Sequence, residues 1–216
     1  MYKLIIGNKN YSSWSMRGWL ALAMTGETFE EVMVPLDQGD TKARILSFSP
    51  AGKVPTLIDG EVTVWDSLAI IEYLHEKHGD AGLWPSDGAA RAYARSICAE
   101  MHSGFVSLRS SMPMNMRRLI GPRPPDDAVN ADIERICAIW RRSRARYGVS
   151  DKFLFGEFSA VDAMFAPVVS RFETYDVQVG PLEKSYMEAV LTCDLYCQWR
   201  EGAMREEWVI DADEVD

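Results

Sequence analysis

Apolar residues in the first 80 positions alternate between a strand-like and a helix-like spacing, and beyond about residue 86 only the helical spacing persists. Tyr2 to Ile6 is a short apolar run, the length of a strand. Met16, Trp19, Leu20 and Ala23 follow at i, i+3, i+4 and i+7, which puts them on one face of a helix closed by Gly26. Phe29 to Val34 reads as a second strand, and Thr41 to Phe48 as a short helix before the turn cluster Ser49-Pro50-Ala51-Gly52. Thr56 to Ile58 and Val62 to Val64 flank Asp59-Gly60, a two-residue hairpin signal. Ser67 to His78 is then a helix with Ile70, Ile71 and Leu74 inward, stopped by Gly79. Strand, helix, strand, helix, hairpin, helix is the layout of a thioredoxin-like α/β unit.

The second part of the chain reads as all helix. Ile97, Met101, Phe105, Leu108 and Met112 mark one long helix ending near Pro113. Ile133, Ile136, Cys137 and Trp140 mark the next, and the Gly121-Pro122-Arg123-Pro124-Pro125 stretch keeps the two apart. Val161, Met164, Phe165, Val168 and Phe172 give the cleanest helical face. It begins at a capping box in which Ser159 and Asp162 satisfy free amide groups reciprocally. The change of pattern predicts residues 1–79 as the α/β unit, 80–86 as a linker carrying Gly82 and Pro85, and 87–216 as the helical unit.

Composition narrows the function classes. The longest apolar runs are too short to cross a bilayer, and the N-terminal residues read as a strand rather than a secretory leader. A net charge of -9 repels phosphate backbones, so the Arg141 to Arg146 run is expected to be a solvated helix face and not a nucleic-acid site. Cys98, Cys137, Cys193 and Cys197 lack zinc-site spacing. They fall in helical patterns and read as reduced core thiols of a cytoplasmic protein that holds no metal.

Three short motifs in the α/β unit carry chemistry. Tyr11-Ser12-Ser13-Trp14-Ser15-Met16-Arg17 stands where the first strand meets the first helix. There free amides and the positive dipole end favour an anion, and a hydroxyl donates to it. Lowering a thiol from about 8.5 by about two units takes about 2.7 kcal/mol. One hydroxyl donor to a charged acceptor supplies about 1.5–3 kcal/mol and the dipole about 0.3–1. An ordinary helix cap is the plainer role for such a serine. Gly52-Lys53-Val54-Pro55-Thr56-Leu57 places a proline before a strand; a cis Val54–Pro55 bond turns the Val54 backbone toward a peptide ligand, and Lys53 stands ready for a carboxylate. Trp65-Asp66-Ser67-Leu68-Ala69-Ile70 ends a strand and opens a helix. Ser67 there suits a carboxylate and Asp66 an ammonium group.

Together with the helical unit, the three motifs make the chain resemble the soluble glutathione transferases over essentially its whole length. Gly156 to Asp162 looks like that family's structural capping motif, with Pro167 in its usual place. The doubled serine resembles the serine-type classes, closest in motif to the zeta class of maleylacetoacetate isomerase-like members. Trp14 stands where zeta members carry a cysteine, and Trp19 where they carry a second arginine. The resemblance implies a thioredoxin-like domain followed by an all-helical domain, glutathione as co-substrate, and a cytoplasmic homodimer. It implies Ser12 as the thiol-activating hydroxyl, with Ser13 as the alternative, and glutathione held by Lys53, Val54, Pro55, Asp66 and Ser67.

The second substrate, a small electrophile, is expected between the first helix and the long helix of the second domain. Trp14, Arg17, His102, Phe105, Arg109 and Met112 are its candidate contacts, with Met114, Asn115 and Arg117 nearby. Transfer to an aryl or alkyl electrophile, cis–trans isomerisation and peroxide reduction all fit a bound thiolate. A non-catalytic binding protein on the same fold is the competing class, and an intact hydroxyl at the thiol position argues for the enzyme.

Overall fold

The computed structural model describes residues 1–122, 124, 126–148 and 152–215. Arg123 and Pro125 of the proline-rich separator lie outside the described residues. Strand β1 (Tyr2–Ile6) is followed by helix α1 (Ser13–Ala23), β2 (Phe29–Met33), α2 (Thr41–Leu46), the hairpin β3 (Thr56–Asp59) and β4 (Val62–Trp65), and α3 (Ser67–Lys77). The sheet order is β2-β1-β3-β4, with β1 parallel to β2 and antiparallel to β3. This is the thioredoxin-like arrangement the spacing predicts. The hairpin differs by one position: Asp59 pairs with Val62, so the loop residues are Gly60 and Glu61, with Gly60 at φ 60°. The positive φ that such a tight turn needs falls on the glycine, and Asp59 is left in the ladder.

Side chains of β1 alternate across the sheet. Leu4 and Ile6 enter the main core beneath α1 and α3, whereas Ile5 joins Val34 and Ile45 beneath α2. Helix α1 lies against α3 on one side and α7 on the other, so it carries the start of the site into the middle of the molecule. Gly18 permits this seat. A Cβ there would stand 2.9 Å from Pro55 Cγ, so any larger residue would push α1 off the loop before β3.

The helical part runs α4 (Gly88–Ser103), α5 (Val106–Ser111), α6 (Asp127–Tyr147), α7 (Ala160–Thr174), α8 (Pro181–Leu191) and α9 (Asp194–Met204), ending in a 3-10 turn at Asp211–Asp213. The single long helix expected to end near Pro113 is two helices. Gly104 is extended, Phe105 is left-handed at φ 57°, and the Leu108 N–H is taken up by Asp132 Oδ2 at 2.9 Å. A periodicity of apolar residues continues across such a break because both segments pack on one core, so spacing alone does not register it.

The capping box forms as expected. Asp162 Oδ2 accepts from Ser159 N–H at 2.9 Å, and Asp162 Oδ1 accepts from Leu154 N–H at 3.2 Å. Burial outweighs these donors and pushes the Asp162 carboxyl up to about 6. The arginine run on α6 is engaged. Arg141 pairs with Glu183, Arg144 donates to Leu182 O, and Arg142 and Arg146 lie over the rings of Tyr93 and Tyr147. All four cysteines are free thiols. Cys98 and Cys137 are buried, while Cys193 and Cys197 are only half-buried and Cys193 caps α9 from outside the helix. Among the described residues no helix is long and apolar enough to cross a membrane.

Candidate active site

The three motifs meet in one cleft around Trp14. A cavity of about 680 Å³ is lined by Trp14, Lys53, Val54, Asp66, Ser67 and His102. It adjoins one of about 500 Å³ lined by Ser12, Ser13, Lys42, Lys53 and Val54. A third, of about 420 Å³, opens on the other side of Trp14 and is lined by Ser13, Arg109, Met114, Arg171 and Asp213.

Ser12 caps α1. Its Oγ accepts from Ser15 N–H at 3.2 Å and donates to Ser15 Oγ at 2.7 Å, and Ser15 Oγ in turn accepts the Gly7 N–H at 2.9 Å. Ser13 occupies the first helical position. Its hydroxyl has no hydrogen-bond partner among the described residues, and it faces both the second and the third cavity. The two serines are buried to similar degrees.

The Val54–Pro55 bond is cis. Val54 lies outside β3, and neither its N–H nor its C=O is paired within the described residues. An extended backbone ligand therefore has a donor and an acceptor waiting there. Lys53 is exposed at the border of two cavities. Lys42, which spacing did not single out, donates to Gly52 O at 3.3 Å and faces the same cavity from α2. It stands in the first turn of α2, ten positions before Gly52, and spacing gives no signal for a contact between the two.

Asp66 caps α3 from a left-handed backbone, φ 76°, an uncommon conformation for a residue with a side chain. One carboxylate oxygen accepts the Leu68 N–H at 2.9 Å, and the other lies 2.6 Å from His102 Nε2. His102 thus stands at the Asp66 end of the cleft, edge-on to the Trp14 ring at 5.0 Å between centroids. Ser67 is 1% exposed, and its Oγ has no hydrogen-bond partner. A buried hydroxyl left unsatisfied costs about 1–3 kcal/mol, which a ligand acceptor removes.

Trp14 and Arg109 line both the first and the third cavity. The Arg109 guanidinium lies 5.4 Å from the Trp14 ring centroid, and desolvation lowers its pKa. Three other candidates line none of the three cavities. Arg17 is fully buried with its guanidinium 4.6 Å from the Trp14 ring centroid; its Nε donates to Met164 O at 2.9 Å, tying α1 to α7, and its two Nη atoms have no hydrogen-bond partner among the described residues. Phe105 and Met112 are core residues, 7% and 2% exposed. They flank α5 as its N-cap and C-cap and join the main core, α5 packing against α6 and α4 against α7. Asn115 and Arg117 are likewise committed, bonding Asn10 and the C-terminal residues.

Arg171 is the residue that spacing missed. It is 5% exposed and donates to Met112 O and Pro167 O at 2.8 and 3.0 Å; its Nη2 has no hydrogen-bond partner among the described residues. Desolvation outweighs the opposing influence of Tyr175 and, with Arg109 adding to it, lowers the Arg171 pKa to about 10; Arg17, desolvated and beside Arg171 and Arg109, falls to about 9. An arginine inside a helix buried on every side was the available signal. These guanidiniums form a positive pole within an acidic protein, with Asp213 as the carboxylate at the rim of the third cavity.

Comparison with known proteins gives the same picture. A family model described as glutathione S-transferase, N-terminal domain, matches residues 11–77. A probable maleylacetoacetate isomerase of Caenorhabditis elegans is 42% identical over 100 residues, 46% of each chain, so that match spans about half the relative's length. Maleylacetoacetate isomerase of Rattus norvegicus is 31% identical over 175 residues, 79% of this chain and 78% of that protein. A crystal structure of a glutathione transferase homolog from Burkholderia with bound glutathione superposes with a TM-score of 0.72 at 25% identity, covering 95% of this chain and 99% of that one. The chain belongs to the glutathione S-transferase family of glutathione-using enzymes, and its relatives include members of the zeta class.

Proposed function

We propose that this chain binds glutathione in the cleft around Trp14, stabilises its thiolate with the Ser12 hydroxyl, and promotes attack of the sulfur on a small electrophile that carries a carboxylate. The observation that carries the reading is the orphaned, buried Ser67 hydroxyl beside Asp66, in the same cleft as the capped serine. The γ-glutamyl carboxylate accepts from Ser67, and its ammonium group meets Asp66. The peptide backbone of glutathione pairs with Val54 next to Pro55, and Lys42 and Lys53 supply charge for the glycyl carboxylate.

A hydroxyl has one donor and two acceptor positions, and its proton rotates. When a thiolate stands before Ser12, Ser15, already accepting from Gly7, donates to Ser12, which then accepts from both the Ser15 N–H and the Ser15 hydroxyl. The one capacity left to Ser12 is its proton, and it goes to the sulfur. Each donor in such a chain polarises the next. Ser13, lacking this support, is the weaker candidate.

In transfer, the S–C bond forms as the leaving group departs with its electron pair. In isomerisation, the thiolate adds to a double bond conjugated with a carbonyl, the electron pair rests on the carbonyl oxygen, the former double bond rotates, and the thiolate is expelled. Arg109 and Arg171 favour an electrophile with a carboxylate in either case. The reading includes residues 1–79 as the glutathione-binding domain, 80–86 as a linker and 87–216 as the domain for the second substrate. It also includes a cytoplasmic homodimer, consistent with the exposed Val62 and Trp65 on edge strand β4.

The test is retention on immobilised glutathione and thiolate absorbance on titration, followed by turnover of maleylacetone, a neutral aryl halide and a hydroperoxide. Preference for maleylacetone supports the carboxylate reading. Absence of both retention and thiolate would sink the enzyme.

A further inference from the structure

In the loop between β1 and α1, which delivers Ser12, Asn8 O accepts the Tyr11 and Ser12 N–H at 3.2 and 2.8 Å. Residues from the far end of the chain hold the amides of Lys9 and Asn10 and the side chain of Tyr11. The Glu206 carboxylate accepts the Lys9 N–H at 2.6 Å and the Asn10 N–H at 3.1 Å, 197 positions away in the first case. The Tyr11 hydroxyl donates to Glu214 Oε1, which also accepts from Asn115 Nδ2 at 2.7 Å. Trp199 Nε1 donates to Lys9 O at 3.1 Å.

The C-terminal segment that bears the two glutamates is itself tied down. Arg117 donates to Glu206 O and Trp208 O and also to the Tyr11 hydroxyl, and Arg118 donates to Glu214 Oε2 and Val215 O. Between the two glutamates the segment runs as an exposed strip through Trp208 and Val209, then turns inward so that Asp213 lines the same cavity as Ser13.

We propose that residues 206–214 form a strap that positions the serine loop, with Glu206 and Glu214 as positioning residues that act through residues 9–11 on Ser12. This rests on the glutathione reading above. The physical reason is economy of contacts. A cap serine is useful as a thiolate donor only if its hydroxyl stays fixed against the ligand sulfur. The Tyr11 and Ser12 amides are satisfied within the loop by Asn8 O, whereas those of Lys9 and Asn10 are satisfied from outside, by Glu206. A carboxylate accepting two adjacent amides fixes the backbone more firmly than one bond, because it defines both position and direction. Lys9 and Asn10 stand directly before the Tyr11-Ser12 step. The glutathione-anchoring groups Val54, Asp66 and Ser67 lie on other elements, to which the strap makes no hydrogen bond among the described residues. The strap therefore governs the thiol end of the ligand and leaves the anchoring end alone.

The experiment compares the wild-type protein with Glu206→Gln, Glu214→Gln and the control Glu173→Gln, which breaks the ion pair of Glu173 with Arg200 at 3.1 Å away from the cleft. Four quantities are read: the pKa of enzyme-bound glutathione from thiolate absorbance, kcat, KM for glutathione, and amide hydrogen exchange at Lys9 and Asn10. The strap predicts a bound-thiol pKa raised by about half a unit or more in each strap variant, about threefold less thiolate below that pKa. It also predicts a lower kcat, KM within about twofold of wild type and faster exchange at the two amides, with the control unchanged; twofold is about 0.4 kcal/mol, below the loss of a bond to an anchoring group. A thiol pKa that stays at the wild-type value in both variants overturns the proposal, even if their melting temperature falls, since that marks a purely structural tail. KM rising in step with the loss of kcat overturns it as well. If wild-type protein holds no thiolate, the glutathione reading itself fails and the strap with it, an outcome distinct from the first two.

Discussion

Replacing Ser15 with alanine separates two roles that a single serine-to-alanine change at the cap would blur. Ser15 is buried and does not border the cleft cavities described above; it touches the reaction only through its bond to Ser12. Ser12→Ala removes the donor to the thiolate. A hydrogen bond to a charged group contributes about 1.5–3 kcal/mol, so the bound-thiol pKa rises by about 1–2 units. Ser15→Ala keeps that donor and removes only its polarisation. With cooperative strengthening of about 10–30% per bond, the loss is roughly 0.2–0.9 kcal/mol, or about 0.1–0.7 pKa units. Stability runs in the opposite order. Ser15→Ala leaves the buried Gly7 N–H without its acceptor and costs about 1–3 kcal/mol, whereas Ser12→Ala loses a cap worth about 1 kcal/mol. The assay is thiolate absorbance titrated with glutathione saturating, beside urea unfolding of each variant and of Ser13→Ala. Equal thiol shifts in the Ser12 and Ser15 variants would refute the relay, and a full shift confined to Ser13→Ala would move the donor to Ser13.

Three further outcomes are expected. Ser67→Ala weakens glutathione binding about tenfold by calorimetry while melting no lower than wild type, because the hydroxyl has no protein partner to lose; a lower melting temperature with unchanged affinity would contradict this. Arg109→Leu raises KM for a carboxylate-bearing electrophile about tenfold and leaves a neutral aryl halide within about twofold, and equal changes for both would remove the charge argument. Asp162, raised from 3.8 to about 6, binds its proton more tightly folded than unfolded, so its contribution is full below about pH 4 and is lost as pH rises through about 6. That loss is about 3 kcal/mol. The stability of Asp162→Asn relative to wild type should therefore rise over that interval in urea unfolding, and a flat difference would show that the capping-box donors offset burial in full.

Spacing carried the order of elements because burial on one face repeats with the period of the element that makes it. Tyr2–Ile6, Ser67–Lys77 and the capped start of α7 all lie within a residue or two of where the pattern places them. The motifs around Ser12, Val54 and Asp66 were legible for a related reason. Helix caps, a proline before a strand and a hairpin glycine are local chemistry, fixed by a few consecutive residues. The one-position shift of the hairpin loop and the break at Gly104 show the limit of local rules. Both depend on which partner strand or helix takes up a given amide.

What tertiary structure alone decided is which polar groups are already spent. Arg17, Arg109 and Arg171 stand on helices and Arg117 in the turn after α5, and the residue type is the same in all four. Contacts from distant elements bury Arg17 against Met164, commit Arg117 to the C-terminal segment, and leave Arg109 and Arg171 facing the cleft. The two serines differ through contacts close in the chain: Ser15, which accepts from Gly7, bonds Ser12, and the Ser13 hydroxyl has no partner among the described residues. The sequence by itself determined the family, the α/β-then-helical architecture and the three motifs, since each rests on residues close together in the chain. The third cavity, its arginine pair and the hold of the C-terminal glutamates on the serine loop arise from contacts between residues up to 203 positions apart, and only the folded chain brings those together.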